Sequence, residues 1–289
     1  MANNTQLDNT DWRNATGPID YTMTNDVMFR MVLQSNEKVL RGLISSMMHI
    51  PKKDIDTVEV LNPIILGASL DDKTHVLDIN IKLNDSSLIN LEMQVLNEGN
   101  WENRSLSYLC RAFDNIQKGM DYNSTSEVTH IGFLDFDLFP DDDEFYSKYM
   151  LLNVKTHRIY NDKFRLNVLS LRRVNNATDE DKKWHINEWT RLFKAKTWED
   201  LKMIAKNNEV YSEMADSMYI QNTDARIREI CEARREAKVH EEYVKQKFNE
   251  QHAMLQEKDG IIQEKDAIIQ EKDALIEELQ VKLASLEQS

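Results

Sequence analysis

The spacing of apolar positions changes character three times along the chain. Between Thr24 and His49 they recur at helical spacing. Thr24-Asn25-Asp26 offers a helix start, followed by Val27, Phe29, Met31, Val32 and Leu33. A second helix takes Val39, Leu40, Leu43, Ile44 and Met47 and stops before Pro51. From Val58 the period becomes two. Strands are predicted over Val58–Leu66, Thr74–Leu83 and Leu88–Leu96, then a helix over Asn103–Lys118. Further strands follow at Val128–Phe136, Tyr149–Val154 and Leu166–Leu171. The order predicts an α/β or α+β domain of about 150 residues. Beyond Val174 the pattern is helical again, with one helix around Trp184 to Phe193, others at Trp198–Lys206 and Glu209–Tyr219, and one long helix from Asp224 onward. These changes divide the chain into a disordered lead (1–20), an α/β domain (21–175), a helical region (176–250) and a tail (251–289).

The tail repeats. MLQEKDG, IIQEKDA and IIQEKDA follow one another from Met254 to Ala274, and a period of seven points to a coiled coil. With Leu255, Ile262, Ile269, Ile276 and Leu283 at position a, position d holds Lys258, Lys265 and Lys272 before Leu279 and Leu286 complete a proper seam. A parallel homodimer nucleated at the C-terminal end and looser toward Met254 is expected. A single helix held by Glu–Lys pairs is the alternative.

Composition narrows the function classes. The 289 residues carry a net charge of −14, split evenly around residue 196. The broad basic surface usual for nucleic-acid binding is missing, so any such role rests on a local site. No apolar run is long enough to span a membrane. The polar start MANNTQLDNTDWRN is not a secretory signal. Cys110 and Cys231 form no metal or disulfide pattern; a reducing, cytoplasmic setting is expected. His75, His130 and His157 lack ligand spacing and read as structural or exposed.

The segment Thr74–Leu96 carries the chemistry. Leu77, Ile79, Ile81 and Leu83 alternate with Val76, Asp78, Asn80 and Lys82; Ile89, Leu91, Met93 and Val95 alternate with Asn90, Glu92 and Gln94. Alternation sends the two sets to opposite faces. A turn centred on Asp85 sets Asp78 opposite Glu92, Val76 opposite Gln94 and Asn80 opposite Asn90. Like charges directly across a sheet are destabilising, and a cation between them removes that cost. Hard oxygen ligands with open positions suit Mg²⁺ or Mn²⁺. A wet hairpin face whose acids happen to align fits the same spacing. On the following helix Arg104, Tyr108 and Arg111 share a face and are candidates for substrate phosphates, as is Lys82; a solvated face with a core tyrosine is the alternative.

Asn25-Asp26-Val27-Met28-Phe29-Arg30, Val76-Leu77-Asp78-Ile79, Asn90-Leu91-Glu92-Met93-Gln94, Arg104 with Tyr108, Gly119-x-x-Tyr122 and the apolar strand Ile131–Phe139 together resemble the Rpn family of recombination-promoting nucleases and transposases, in the PD-(D/E)XK nuclease superfamily. The resemblance spans about residues 21–175 and implies a restriction-endonuclease-like core and a metal-dependent DNA endonuclease tied to recombination or mobile elements. Asp78 then matches the metal-binding aspartate, Glu92 the motif's acid, and Gln94 the place where the superfamily commonly has lysine. An acid on the first helix often completes such a site; Asp26 or Glu37 would do so here, although Asp26 also suits an ordinary helix first turn. An uncharged Gln94 leaves open an inactive descendant that works as an assembly module through its tail. Paired nuclease sites in a dimer would suit cutting both DNA strands.

Overall fold

A computed structural model describes residues 11–63, 78–84, 86–114 and 121–287. The chain divides into two units, one running through Cys231 and one beginning at Glu232. The sequence expectations for residues 1–10, 64–66 and 74–77, for Asp85, for residues 115–118 and for Gly119 fall outside the described residues.

In the first unit, α1 (Asp26–Ser35) and α2 (Glu37–Met48) are separated by Asn36 alone. Asn25 and Asn36 cap them, each side-chain oxygen accepting a hydrogen bond from a first-turn backbone N–H. A left-handed His49 ends α2 ahead of Pro51. The sheet has six strands: β1 (Val58–Val60), β2 (Ile79–Leu83), β3 (Ser87–Gln94), β4 (Glu127–Leu134), β5 (Tyr146–Leu152) and β6 (Ile159–Ser170), in the order β1-β2-β3-β4-β6-β5. β2 and β3 form the antiparallel hairpin; β3, β4 and β6 run parallel. A parallel neighbour requires a crossover, and α3 (Trp101–Phe113) supplies it between β3 and β4.

The two sheet faces are built differently. On one, Ile79, Ile81, Leu91, Ile131 and Phe133 join Phe29 of α1, Leu43 of α2 and the later helices in a single apolar core. Those helices are α4 (Asp179–Lys183), α5 (Ile186–Lys194), α6 (Trp198–Ala205) and α7 (Glu209–Thr223). Phe29, Phe133 and Phe193 meet there ring to ring. The helices of 176–223 therefore share the sheet's own core. On the opposite face Trp101 packs with Leu134, Phe136 and Val168, and the hairpin's polar set lies on the same face.

Three expectations need correction. The lead is not disordered from residue 11: Trp12 and Ile19 are buried, and Pro18 bridges to Thr197, because these apolar groups find the helical layer. The helix expected around Trp184 is two, broken where His185 takes a left-handed conformation. β6 begins seven residues earlier than its apolar run, since hydrogen bonding to β5 continues past the core. The second unit holds most of α8 (Ala225–Glu287), on which Leu255, Ile262, Ile269 and Ile276 are exposed. No described helix is long and apolar enough to cross a membrane.

Candidate active site

The β2–β3 register pairs Ile79 with Leu91 and Asn80 with Asn90, as the turn spacing predicts. Continued by one residue, it sets Asp78 opposite Glu92. Asp78, Asn90, Glu92 and Gln94 are all buried. Burial of four polar side chains on one strand pair is unusual without partners, so their hydrogen bonds are informative.

Each carboxylate has one oxygen engaged and one left over. Asn90 Nδ2 donates to Asp78 Oδ2 at 2.6 Å, and Arg104 Nη2 lies 2.7 Å from Glu92 Oε1. Asp78 Oδ1, Glu92 Oε2 and Gln94 Oε1 are buried with no hydrogen-bond partner among the described residues. Gln94 Nε2 donates to the Leu96 carbonyl at 3.0 Å, which fixes the amide with its oxygen free.

The supporting groups are local. Arg30, buried on α1, donates to the backbone carbonyls of Asp78 and Asn62, and Asn62 Nδ2 also donates to Asp78 O at 3.1 Å. The backbone just before β2 is thus held from two sides. α3 is seated by Trp101, whose ring fills the space over Gly132 that any side chain would occupy. Gly132 pairs with Glu92 across β3 and β4. Docking Trp101 there brings Arg104, one turn along α3, onto Glu92.

The electrostatics follow from burial. Desolvation pushes the Glu92 carboxyl up to about 7; Arg104 opposes this, and Asp78 and Glu98 add to it. Burial works against the Arg104 charge as well, but Glu92, Tyr108 and Glu98 outweigh it and hold that pKa above its ordinary value. His130, two residues before Gly132 on β4, has Nε2 3.7 Å from Glu92 Oε2. Burial, with a smaller push from Arg104, lowers its pKa to about 3, so it is a neutral imidazole. Neither ring nitrogen has a hydrogen-bond partner among the described residues. The Tyr108 ring stacks on it at 6.1 Å.

The remaining candidates are spread out. Arg111 is exposed, two turns or about 10 Å beyond Arg104. Lys82 is partly buried, four residues or about 13 Å along β2 from Asp78. Glu37 is exposed and paired with Arg41 at 2.9 Å, whose guanidinium also donates to the Ile55 and Asp56 carbonyls, beside the turn of the hairpin rather than its acids. Asp26 is buried one turn before Arg30, and its charge helps burial raise the Cys231 thiol. Spacing alone assigns no role to Asn90, Arg30 or Asn62, and it reads His130 as structural or exposed.

Among the described residues no three His, Cys, Asp or Glu side chains group as metal ligands. The donor set nonetheless suits a hard divalent cation: two carboxylate oxygens and one amide oxygen, all buried, all lacking a donor. Of the comparisons with known proteins, one identifies a family. A family model, PD-(D/E)XK nuclease family transposase, matches residues 23–247, well over half the chain. No curated protein and no solved structure matches. The mixed sheet, with its acids on a central hairpin, lies wholly within the matched stretch, and the chain belongs to the PD-(D/E)XK nuclease family transposases.

Proposed function

We propose that this nuclease-family protein is a DNA endonuclease dependent on Mg²⁺ or Mn²⁺, with a role in recombination or mobile-element activity. The observation that carries the reading is the unpartnered oxygen on each of Asp78 and Glu92, beside that of Gln94. Asp78 and Glu92 would hold the cation. A divalent ion there supplies a lowered pKa for bound water and relief of charge at phosphorus. The protein's part is positioning. Arg30 and Asn62 fix the Asp78 backbone, and Asn90 orients its carboxylate. Gln94 offers an oxygen to a water or to substrate. Gln94 brings no charge where lysine is usual; Arg104 brings a permanent cation to Glu92 and is suited to a phosphate oxygen. Tyr108 flanks it, while Arg111 and Lys82 suit phosphates farther along the duplex. Asp26 is the first-helix acid of this proposal.

The test is cleavage of plasmid DNA with Mg²⁺, Mn²⁺ or EDTA by the wild type, Asp78→Asn and Arg104→Met. Divalent-dependent cleavage that falls at least a hundredfold in Asp78→Asn supports the site. Unchanged cleavage in that variant removes it. We also infer a parallel homodimer through α8. Its support is the exposed row Leu255, Ile262, Ile269 and Ile276, which equally favours the second reading, a weakly active nuclease fold used for assembly. The free state of both cysteines supports a cytoplasmic setting.

A further inference from the structure

β5 and β6 extend beyond the sheet as a two-stranded arm. At its base Tyr146 pairs with Leu169, and Tyr149 with Leu166. Beyond register shifts after Met150 and Leu151, the arm continues to Leu152 and Ile159. Such bulges bend and re-aim a ribbon. The tip is ordered by its own hydrogen bonds. Asn153 Oδ1 accepts from the backbone of Lys155 and Thr156, both at 3.0 Å, and Asn153 N donates to Arg158 O at 2.9 Å.

The arm's charge opposes that of the chain. Residues 147–165 hold Lys148, Lys155, Arg158, Lys163 and Arg165 against one acid, Asp162, in a protein of net charge −14. The base cations are engaged: Arg165 with Glu127 at 2.6 Å, and Lys163 with the Thr125 carbonyl at 2.9 Å. Lys155 and Arg158, at the tip, are exposed and have no side-chain partner among the described residues. Val154 and Tyr160 beside them are 88% and 82% exposed, too open to serve the fold. The acidic loop Asp141-Asp142-Asp143-Glu144 precedes β5 at the arm's other end.

Distance along the sheet relates the tip to the acids. Glu92 pairs with Gly132, and Gly132 with Val168. From Val168 back to Arg158 along β6 is at most about 33 Å. One turn of B-DNA is about 34–36 Å, and the major groove admits a two-stranded ribbon.

We propose that this arm is a duplex-DNA contact, with Lys155 and Arg158 seated on phosphates within about one helical turn of the bond held at Asp78 and Glu92. The proposal rests on the nuclease reading for its second contact, but its test is separate. Affinity for a 40-base-pair duplex is measured against salt in EDTA, for the wild type, Lys155→Ala/Arg158→Ala and Asp78→Ala. Each phosphate contact adds about 0.9 to the slope of log K against log salt, so the double variant should lose roughly 2 from the slope. Asp78→Ala should keep the wild-type slope and lose cleavage when Mg²⁺ is restored. An unchanged slope in the double variant, or no salt-dependent binding by the wild type, overturns the arm proposal and leaves Val154 and Tyr160 to a protein partner. A reduced slope in the double variant together with full cleavage by Asp78→Ala upholds the arm and refutes the Asp78 site.

Discussion

Replacing Glu92 by Gln should make the protein more stable at alkaline pH while abolishing its activity. Glu92 is buried against Asp78, the neutral His130 and the Arg104 guanidinium, and its carboxyl is raised from 4.5 to about 7. In the folded state it therefore keeps a proton that the unfolded chain has already released. Its contribution to stability is complete below pH 4.5 and is lost as pH rises to about 7. Over that range the folded state loses roughly 3 kcal/mol. The amide introduced by Glu92→Gln does not ionise, so the variant avoids that loss. The attraction of Arg104 is already contained in that raised value, and Arg104 keeps Glu98 at 3.7 Å. A gain of roughly 3 kcal/mol is expected at pH 8, and little or none near pH 4.5. Urea denaturation in EDTA at pH 4.5, 6 and 8 reads this directly. Equal or lower stability of the variant at pH 8 would refute the burial argument. Adding Mg²⁺ should raise the wild-type midpoint, because an ion bound only by the folded state stabilises it, and should leave that of Glu92→Gln where it was.

Three other expectations follow from the same geometry. Gly132→Ala sets a methyl group against the buried Trp101 ring and should cost about 1–3 kcal/mol; a thermal midpoint equal to wild type would mean α3 is not seated as described. His130 should show no imidazole titration by NMR between pH 5 and 8, since its pKa is about 3. Because that pKa lies below the unfolded value of 6.5, its effect on stability is lost as pH falls from 6.5 toward 3. Deleting residues 254–289 should leave the first unit folded and lower the oligomeric state; a full-length protein already monomeric by sedimentation at tens of micromolar would contradict the tail's role.

The hairpin was legible because both its signals are local. Alternation assigns the faces, and a short turn sets the register, so the opposition of Asp78 and Glu92 needs no tertiary information. Gln94 follows from the same segment, whereas Arg104 is marked only by the face it shares with Tyr108 and Arg111 on the next helix, as a phosphate candidate rather than as the partner of Glu92. Arg30, Asn62 and His130 were not legible as neighbours of the acids. Arg30 reaches the Asp78 backbone from a separate helix. His130 is placed by parallel pairing of β4 with β3, which no turn dictates, and it sits in an apolar run that hides it. Of the β5–β6 arm the sequence marks Tyr149–Val154 as strand but not the start of β6, because Tyr160-Asn161-Asp162-Lys163 has no buried face and so no alternation. The burial of Trp12 is not legible, since one apolar group in a polar lead has no period. The heptads of α8 are plain in the sequence; the second chain proposed to cover their exposed apolar row is not.

The central claim is that Asp78 and Glu92 together hold one divalent cation. Calorimetric titration of Mn²⁺ into the wild type, Asp78→Asn and Glu92→Gln at pH 8 tests it without reference to turnover. The account predicts binding at one site per chain in the wild type and at least a tenfold loss of affinity in each variant. Equal Mn²⁺ affinity in all three proteins would contradict it.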